Sequence, residues 1–181
     1  GILATSIQRG GLTALIIVAL LLERNTFHNS ADPEAGLAGV GLALSIAAVG
    51  VGLGAVIAPY AAEKFGRHRW IRYMAFGSAI TPVILGIAQN VTALYVTAFV
   101  ASMCGQSMKV TNDALVQSKI TDDFRGRTFA IYDTTANTAI VISALLAAIA
   151  TPDSGQTLLV PTAISLIYLA VGLFLLRPPR S

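Results

Sequence analysis

The sequence predicts an all-α polytopic membrane protein with six transmembrane helices. Two observations carry this. Of 181 residues, 55% are hydrophobic and only 12% are charged, against about 25% charged in an ordinary soluble domain, and the mean hydropathy is +0.72. The chain is long enough to bury a core but too poor in charge to cover one with a polar surface. The apolar residues also fall in continuous runs. A barrel would need alternating segments of about ten residues, so these runs read as helices.

A spanning helix needs about 20 residues, and six runs come close to that: 2–22, 37–61, 70–88, 91–115, 126–150 and 157–176. The first is interrupted by Arg9. It has no basic leader and no small-residue cleavage site, so it does not read as a signal peptide. The chain opens on glycine, as though inside a longer protein. The second run contains "GVGLGA", Gly50 to Ala55, which formally fits a dinucleotide-binding fingerprint. That motif needs a preceding strand and an acid about 20 residues on; here it sits in mid-span with a basic region downstream. Gly50 and Gly54 instead read as a small-residue face for close helix packing. The third and sixth runs are uncharged over 73–88 and 157–176. Their Tyr73 and Tyr168, with Trp70, suit interfacial anchoring or lipid contact, and both helices suit a supporting role.

The connectors are short and polar, with "HNSADPEAG", "EKFGRHRW" and "ITDDFRGR" at three of them and "QN" and "TPDSGQ" at the others. Lys64, Arg67, Arg69 and Arg72 gather at the second, Lys119, Arg125 and Arg127 at the fourth, and Arg177 and Arg180 in the tail. On a six-span path all of these, with Arg9, fall on one side; the other side has Arg24 among Glu23, Asp32, Glu34 and Asp153. The positive-inside rule then puts both termini in the cytoplasm. Because the basic residues follow the membrane topology, the net charge of +3 gives no reason to invoke nucleic acid. Cys104, the single cysteine, lies in an apolar run and reads as a packing residue. The two histidines, His28 and His68, lie in connectors without metal-ligand spacing, and no nucleophile triad can be assembled. Composition and motifs point away from an enzyme.

The fourth run holds the chemistry. At helical spacing Ser102, Gln106, Lys109, Asp113 and Gln117 form a stripe about 80° wide on an otherwise apolar helix. A charge at the bilayer centre costs about 2.5–3.5 kcal/mol on insertion scales, so the stripe must face protein or a wet cavity. Lys109 and Asp113 are one turn apart and can pair, with Asn112 beside them. The fifth run returns antiparallel, with Asp133 about 10 Å in from Gly126 and Asn137 one turn further. Asp113 and Asp133 are thereby expected to share a layer. Two readings stand here: a structural pair that fixes helix rotation, or a gated ion pair whose carboxylate takes a proton when the lysine moves away.

Two basic turns add a further pattern. "PYAAEKFGRHR" sets an acid, a base, Gly66 and Arg67 between the second and third runs, with Gly66 suited to a positive-φ turn. "DDFRGRTFAIYD" repeats acid, glycine and arginines before the fifth. The first resembles the signature loop of the major facilitator superfamily, Gly-x-x-x-Asp-basic-x-Gly-basic-basic. Glu63, Lys64, Gly66 and Arg67 match it, while Pro59, Glu63 and His68 depart from its first Gly, its Asp and its last base. "DALVQSKITDDFRGRTFAIYD" looks like the segment joining the tenth and eleventh helices of efflux-type members such as macrolide and multidrug exporters.

The resemblance implies the C-terminal half of a twelve-helix transporter, with 1–88 and 91–181 as inverted three-helix repeats. It puts the first and fourth helices of the half on the central cavity. Arg9, Gln106, Lys109, Asn112, Asp113, Asp133 and Asn137 then become candidates for the substrate or proton pathway. Glu63, Lys64, Gly66 and Arg67, with Asp123, Arg125, Gly126 and Arg127, become candidate cytoplasmic gating loops. The implied activity is proton-coupled efflux of a small molecule by alternating access. The implied cofactor is none beyond the coupling proton. The implied partners are membrane lipid, the substrate and an N-terminal six-helix half, in a bacterial-type plasma membrane. Its rivals are a self-contained six-helix dimeric transporter or channel and a non-transporting scaffold subunit.

Overall fold

The structure, a computed structural model, describes residues 2–27, 33–119 and 122–176. These form α1 (Ile2–Leu22), α2 (Pro33–Phe65), α3 (Arg67–Ala88), α4 (Val91–Lys119), α5 (Asp122–Ala150) and α6 (Leu159–Phe174), and α1 continues into a π-helical turn at Glu23–Phe27. There is no strand among the described residues. Five of the helices are long and apolar enough to cross a membrane; α6 is apolar but its helix has 16 residues. At 33 residues, α2 runs about 50 Å and overshoots a hydrocarbon core of about 30 Å.

Successive helices run up and down, so the bundle has two ends. Lys64, Arg67, Arg69 and Arg72 gather at one, where α2 meets α3 and where α5 starts with Arg127 nearby. This is the basic end. Arg177, Arg180, His28 and Asp32 lie outside the described residues, as do the side chains of Lys119, Asp123 and Arg125.

Packing does not follow chain order. α2 lies along α4, α5 lies along α1, and α1 touches α4; α3 packs on α4 and α6. The result is a front row ordered α2, α4, α1, α5, backed by α3 and α6. The row is held by glycine. A Cβ on Gly50 or Gly54 would strike the backbone of Phe99 or Met103 in α4, whereas Gly52 between them faces open space. The glycine run is thus a helix contact, as its spacing suggests. Gly10 does the same for α1 against Ala139 and Ser143 of α5.

Between the rows, Leu15, Val18, Leu22, Leu94 and Ile164 form the main core. Tyr168 joins it, 2% exposed, with its hydroxyl donating to the Gln8 carbonyl at 2.8 Å. This corrects the expectation of an interfacial tyrosine. Gly11 leaves space for the ring, and a buried phenol is stable where its hydroxyl finds an acceptor. Tyr73 is exposed, and Trp70 is half-buried with its indole N–H donating to Ser107 at 2.8 Å. Cys104 is a free, buried packing residue.

The two basic segments differ. Gly66 alone separates α2 from α3, at φ 87°, which a residue with a Cβ adopts only with strain. Gly126 lies inside α5, with open space where its Cβ would be. The expected second turn is therefore helix. Asp122 and Asp123 open the helix, and it runs through the glycine. Asp123, Arg125, Gly126 and Arg127 are helical residues rather than a loop, and Glu63 and Lys64 belong to the last turn of α2.

Candidate functional site

The polar stripe of α4 is bounded by its packing. Ser102 is buried and Gln106 half-buried. Lys109 Nζ meets Asp113 Oδ2 at 2.7 Å, with side chains 37% and 22% exposed. Pairing one turn apart is what helical spacing dictates. The partial exposure matters more: both charges border the open front of the row.

Behind the pair the environment is dry. Asn112 is 1% exposed and Tyr132, from α5, is 2% exposed. The Tyr132 hydroxyl lies beside the side chains of Asn112 and Thr5, in the field of Asp113 and Lys109. Asn112 Nδ2, Asp113 Oδ1 and the Tyr132 hydroxyl are all buried without a well-formed hydrogen bond. Leaving such a group unsatisfied costs about 1–3 kcal/mol. Three together mark a cluster whose hydrogen-bonding capacity the fold itself does not use.

Arg9 enters the same front from α1. Gln8 fixes its rotation: its amide donates to the Ala101 carbonyl at 3.1 Å, and its own carbonyl accepts from Tyr168. With Gln8 buried against α4, Arg9 falls on the half-exposed side of α1, one turn from Thr13, whose hydroxyl donates to the Arg9 carbonyl at 3.0 Å.

Asp133 and Asn137 are exposed, outside the cluster around Asn112. α5 packs along α1 rather than along α4. The neighbouring Tyr132 is the α5 residue that reaches Asn112. The signal for it was available: Tyr132, Ala136, Ala139, Ser143 and Ala147 recur at helical spacing, and all five are buried or half-buried.

At the basic end, Arg67 ties α3 to the end of α4, donating to Ser118 Oγ at 2.9 Å and to the Ala114 carbonyl at 3.5 Å. A guanidinium beside late carbonyls of a helix also complements its dipole. Pro59, Glu63, Arg67 and Thr111 line a cavity of about 410 Å³ between α2 and α4.

One buried charge was not anticipated. Glu23 reads in sequence as the start of a connector, yet it is 0% exposed. The π turn keeps the chain coiled past Leu22, and the Tyr95 phenol of α4 lies beside its carboxylate. Only the length of the helix, not its composition, decides this burial.

The family model of the Major Facilitator Superfamily matches residues 2–181. The chain belongs to the major facilitator superfamily. It is a multi-pass helical membrane protein of a transporter family. No curated protein matches this facilitator chain. Within it, α1 and α4 present Arg9, Lys109 and Asp113 to the open front, while the uncharged helices α3 and α6 lie behind.

Proposed function

We propose that this facilitator chain is the C-terminal half of an efflux-type secondary transporter that exchanges a small molecule for protons by alternating access. The observation that carries the reading is the Lys109–Asp113 pair, half-exposed on an apolar helix and backed by buried polar groups of Asn112, Asp113 and Tyr132. A charged pair of this kind cannot face lipid cheaply. Facing a second six-helix half across a wet cavity, it can. Asp113 has one oxygen on the lysine and the other turned to the buried cluster, an arrangement that suits a carboxylate alternating between ion pair and acid. Arg9 flanks the pair, and Arg67 holds the adjoining helix ends in a closed arrangement.

One packing pair follows an exchange of α1–α3 with α4–α6: α2 on α4 corresponds to α5 on α1. This supports inverted three-helix repeats. The basic end is assigned to the cytoplasm of a bacterial-type plasma membrane, by the positive-inside rule.

The test compares transport with folding for Asp113→Asn and Lys109→Ala, measured as substrate or proton flux in vesicles beside the unfolding temperature. Lost flux with normal expression supports the transporter; a change in stability alone supports a scaffold. The mass of the native chain, by immunoblot, separates a half from a self-contained dimer. A band near twice 18.8 kDa supports the half, and a band at that mass sinks it.

A further inference from the structure

The outer face of α3 is graded along its length. Arg69, Tyr73, Ile80, Ile84 and Ile87 recur at helical spacing, and all five are exposed. From the basic end inward the face reads cation, phenol, then aliphatic carbon. At its head stands an aromatic platform. The Gly66 turn brings the last ring of α2 against the first turns of α3. The Phe65 and Trp70 rings stack with centroids 6.0 Å apart, and Phe65 meets Tyr73 edge-on at 6.3 Å. Lys64 Nζ lies 5.6 Å from the Phe65 centroid, and Arg72 Cζ lies 5.9 Å from that of Tyr73. Lys64, Arg69 and Arg72 make no ion pair among the described residues. Glu63, the acid next to them in sequence, lines the cavity shared with Arg67 and Thr111.

Each part of this face matches a part of one molecule. Guanidinium groups suit a phosphate, which they can bind with two parallel hydrogen bonds. Aromatic rings settle where headgroups give way to hydrocarbon. Contact with a ring face also holds Lys64 and Arg72 in place, which lowers the cost of ordering them around an anion. Arg69 to Ile80 spans about 16 Å along the helix, close to one leaflet of hydrocarbon. We infer that the outer face of α3, headed by Phe65, Trp70 and Tyr73, is a binding site for an anionic phospholipid. Its phosphate lies between Arg69 and Arg72 with Lys64 at the rim, its glycerol rests on the aromatic platform, and its acyl chains run down past Ile80. The continuity of the cationic head with an aliphatic track selects a lipid over a free phosphate. The site lies behind the front row, apart from Lys109–Asp113, and is independent of the transport role given to that pair.

Trp70 is the single tryptophan of this chain and part of the platform, so its fluorescence reports the lipid at the site. The intact native protein is placed in phosphatidylcholine nanodiscs with increasing fractions of a lipid brominated near its headgroup. The Trp70 signal is the difference from the Trp70→Phe variant. Brominated phosphatidylglycerol is expected to half-quench Trp70 at a mole fraction about fivefold lower than brominated phosphatidylcholine does. Arg69→Gln/Arg72→Gln is expected to bring the two lipids to within about twofold. Its unfolding temperature is expected to hold, because neither guanidinium donates a hydrogen bond among the described residues. Arg127→Gln, which removes an exposed cation of α5 near the same end, is expected to keep the preference. Equal quenching by the two lipids would overturn the assignment, as would a preference that survives Arg69→Gln/Arg72→Gln. An equal loss in Arg127→Gln would overturn it too, by showing a diffuse attraction of the whole basic end. So would release of the phosphatidylglycerol quenching by inorganic phosphate beyond that caused by sodium chloride at equal ionic strength, which would make the ligand a free phosphate.

Discussion

Lys109 and Asp113 hold each other at 2.7 Å, and the residue-scale consequences depend on which partner is removed. Asp113→Asn leaves an ammonium beside buried, unsatisfied groups, and Lys109→Ala leaves a carboxylate there. Each is expected to cost about 1.5–3 kcal/mol, the range of a hydrogen bond to a charged group, at the lower end because both side chains are partly exposed. The double variant Lys109→Gln/Asp113→Asn removes both charges and is expected to recover most of that stability. If the pair also serves transport, flux stays lost in the double variant while the unfolding temperature returns. If flux returns too, the charges serve packing alone. Tyr132→Phe is a finer probe of the same cluster. It removes a buried hydroxyl that makes no well-formed hydrogen bond, so stability is expected to hold or rise slightly. A large loss of stability would show that the hydroxyl is bonded after all.

At the scale of the elements, glycines of similar appearance have opposite roles. Gly50→Ala and Gly54→Ala push a methyl into the α4 backbone and are expected to destabilise by about 1–3 kcal/mol, as overpacking does. Gly52→Ala, facing open space in the same helix, is expected to stabilise by about 0.5–1 kcal/mol. The basic segments give a second such comparison. Gly66→Ala forces a Cβ into positive φ and costs about 1–2 kcal/mol, while Gly126→Ala replaces an exposed helical glycine and gains about 0.5–1 kcal/mol. Thermal unfolding in detergent reads all five; equal signs within either set would contradict the packing described. These pairs also show what the sequence could and could not convey. Hydropathy and the spacing of basic residues fix six helices with nearly their observed ends, because burying a helical backbone in lipid is a local requirement of each run. The turn at Gly66 and the face of Gly50 and Gly54 were legible for the same reason. The helical state of Gly126 was not, because a glycine between arginines suits a turn and a helix start equally well until the flanking contacts are known. Nor was the order of the front row. Short connectors suggest neighbours, yet α5 lies on α1, and this moved Asp133 out of the cluster and brought Tyr132 in. Glu23 was hidden because its burial depends on how far a helix continues, which composition leaves undecided.

The whole molecule exposes its surfaces unevenly. The membrane windows of α2 and α5, which flank the front row, are only 17% and 11% buried within the bundle, against 50% for α1 and for α4. Lipid alone could cover apolar flanks, but Arg9, Gln106, Lys109 and Asp113 border the same front. The back differs: Ile80 of α3 and Leu166 of α6 are 61% and 60% exposed, on helices that carry no charge in their apolar stretches. A cavity-facing front and a lipid-facing back therefore predict different access to water. Cys104 is the single cysteine and is buried, so Cys104→Ser provides a clean background. Single cysteines at Thr13 and Gln106 on the front, and at Ile80 and Leu166 on the back, are then treated with a water-soluble maleimide in membranes. The front positions are expected to label at least tenfold faster, because the reagent reacts with thiolate and a thiol in hydrocarbon stays protonated. Equal slow labelling at all four would mean that the front is sealed by protein or lipid, and the cavity reading of the Lys109–Asp113 pair would fall with it. Fast labelling at the front that slows when the basic end is cross-linked through Arg67→Cys and Ser118→Cys would tie water access to the contact between α3 and α4, as an alternating mechanism requires.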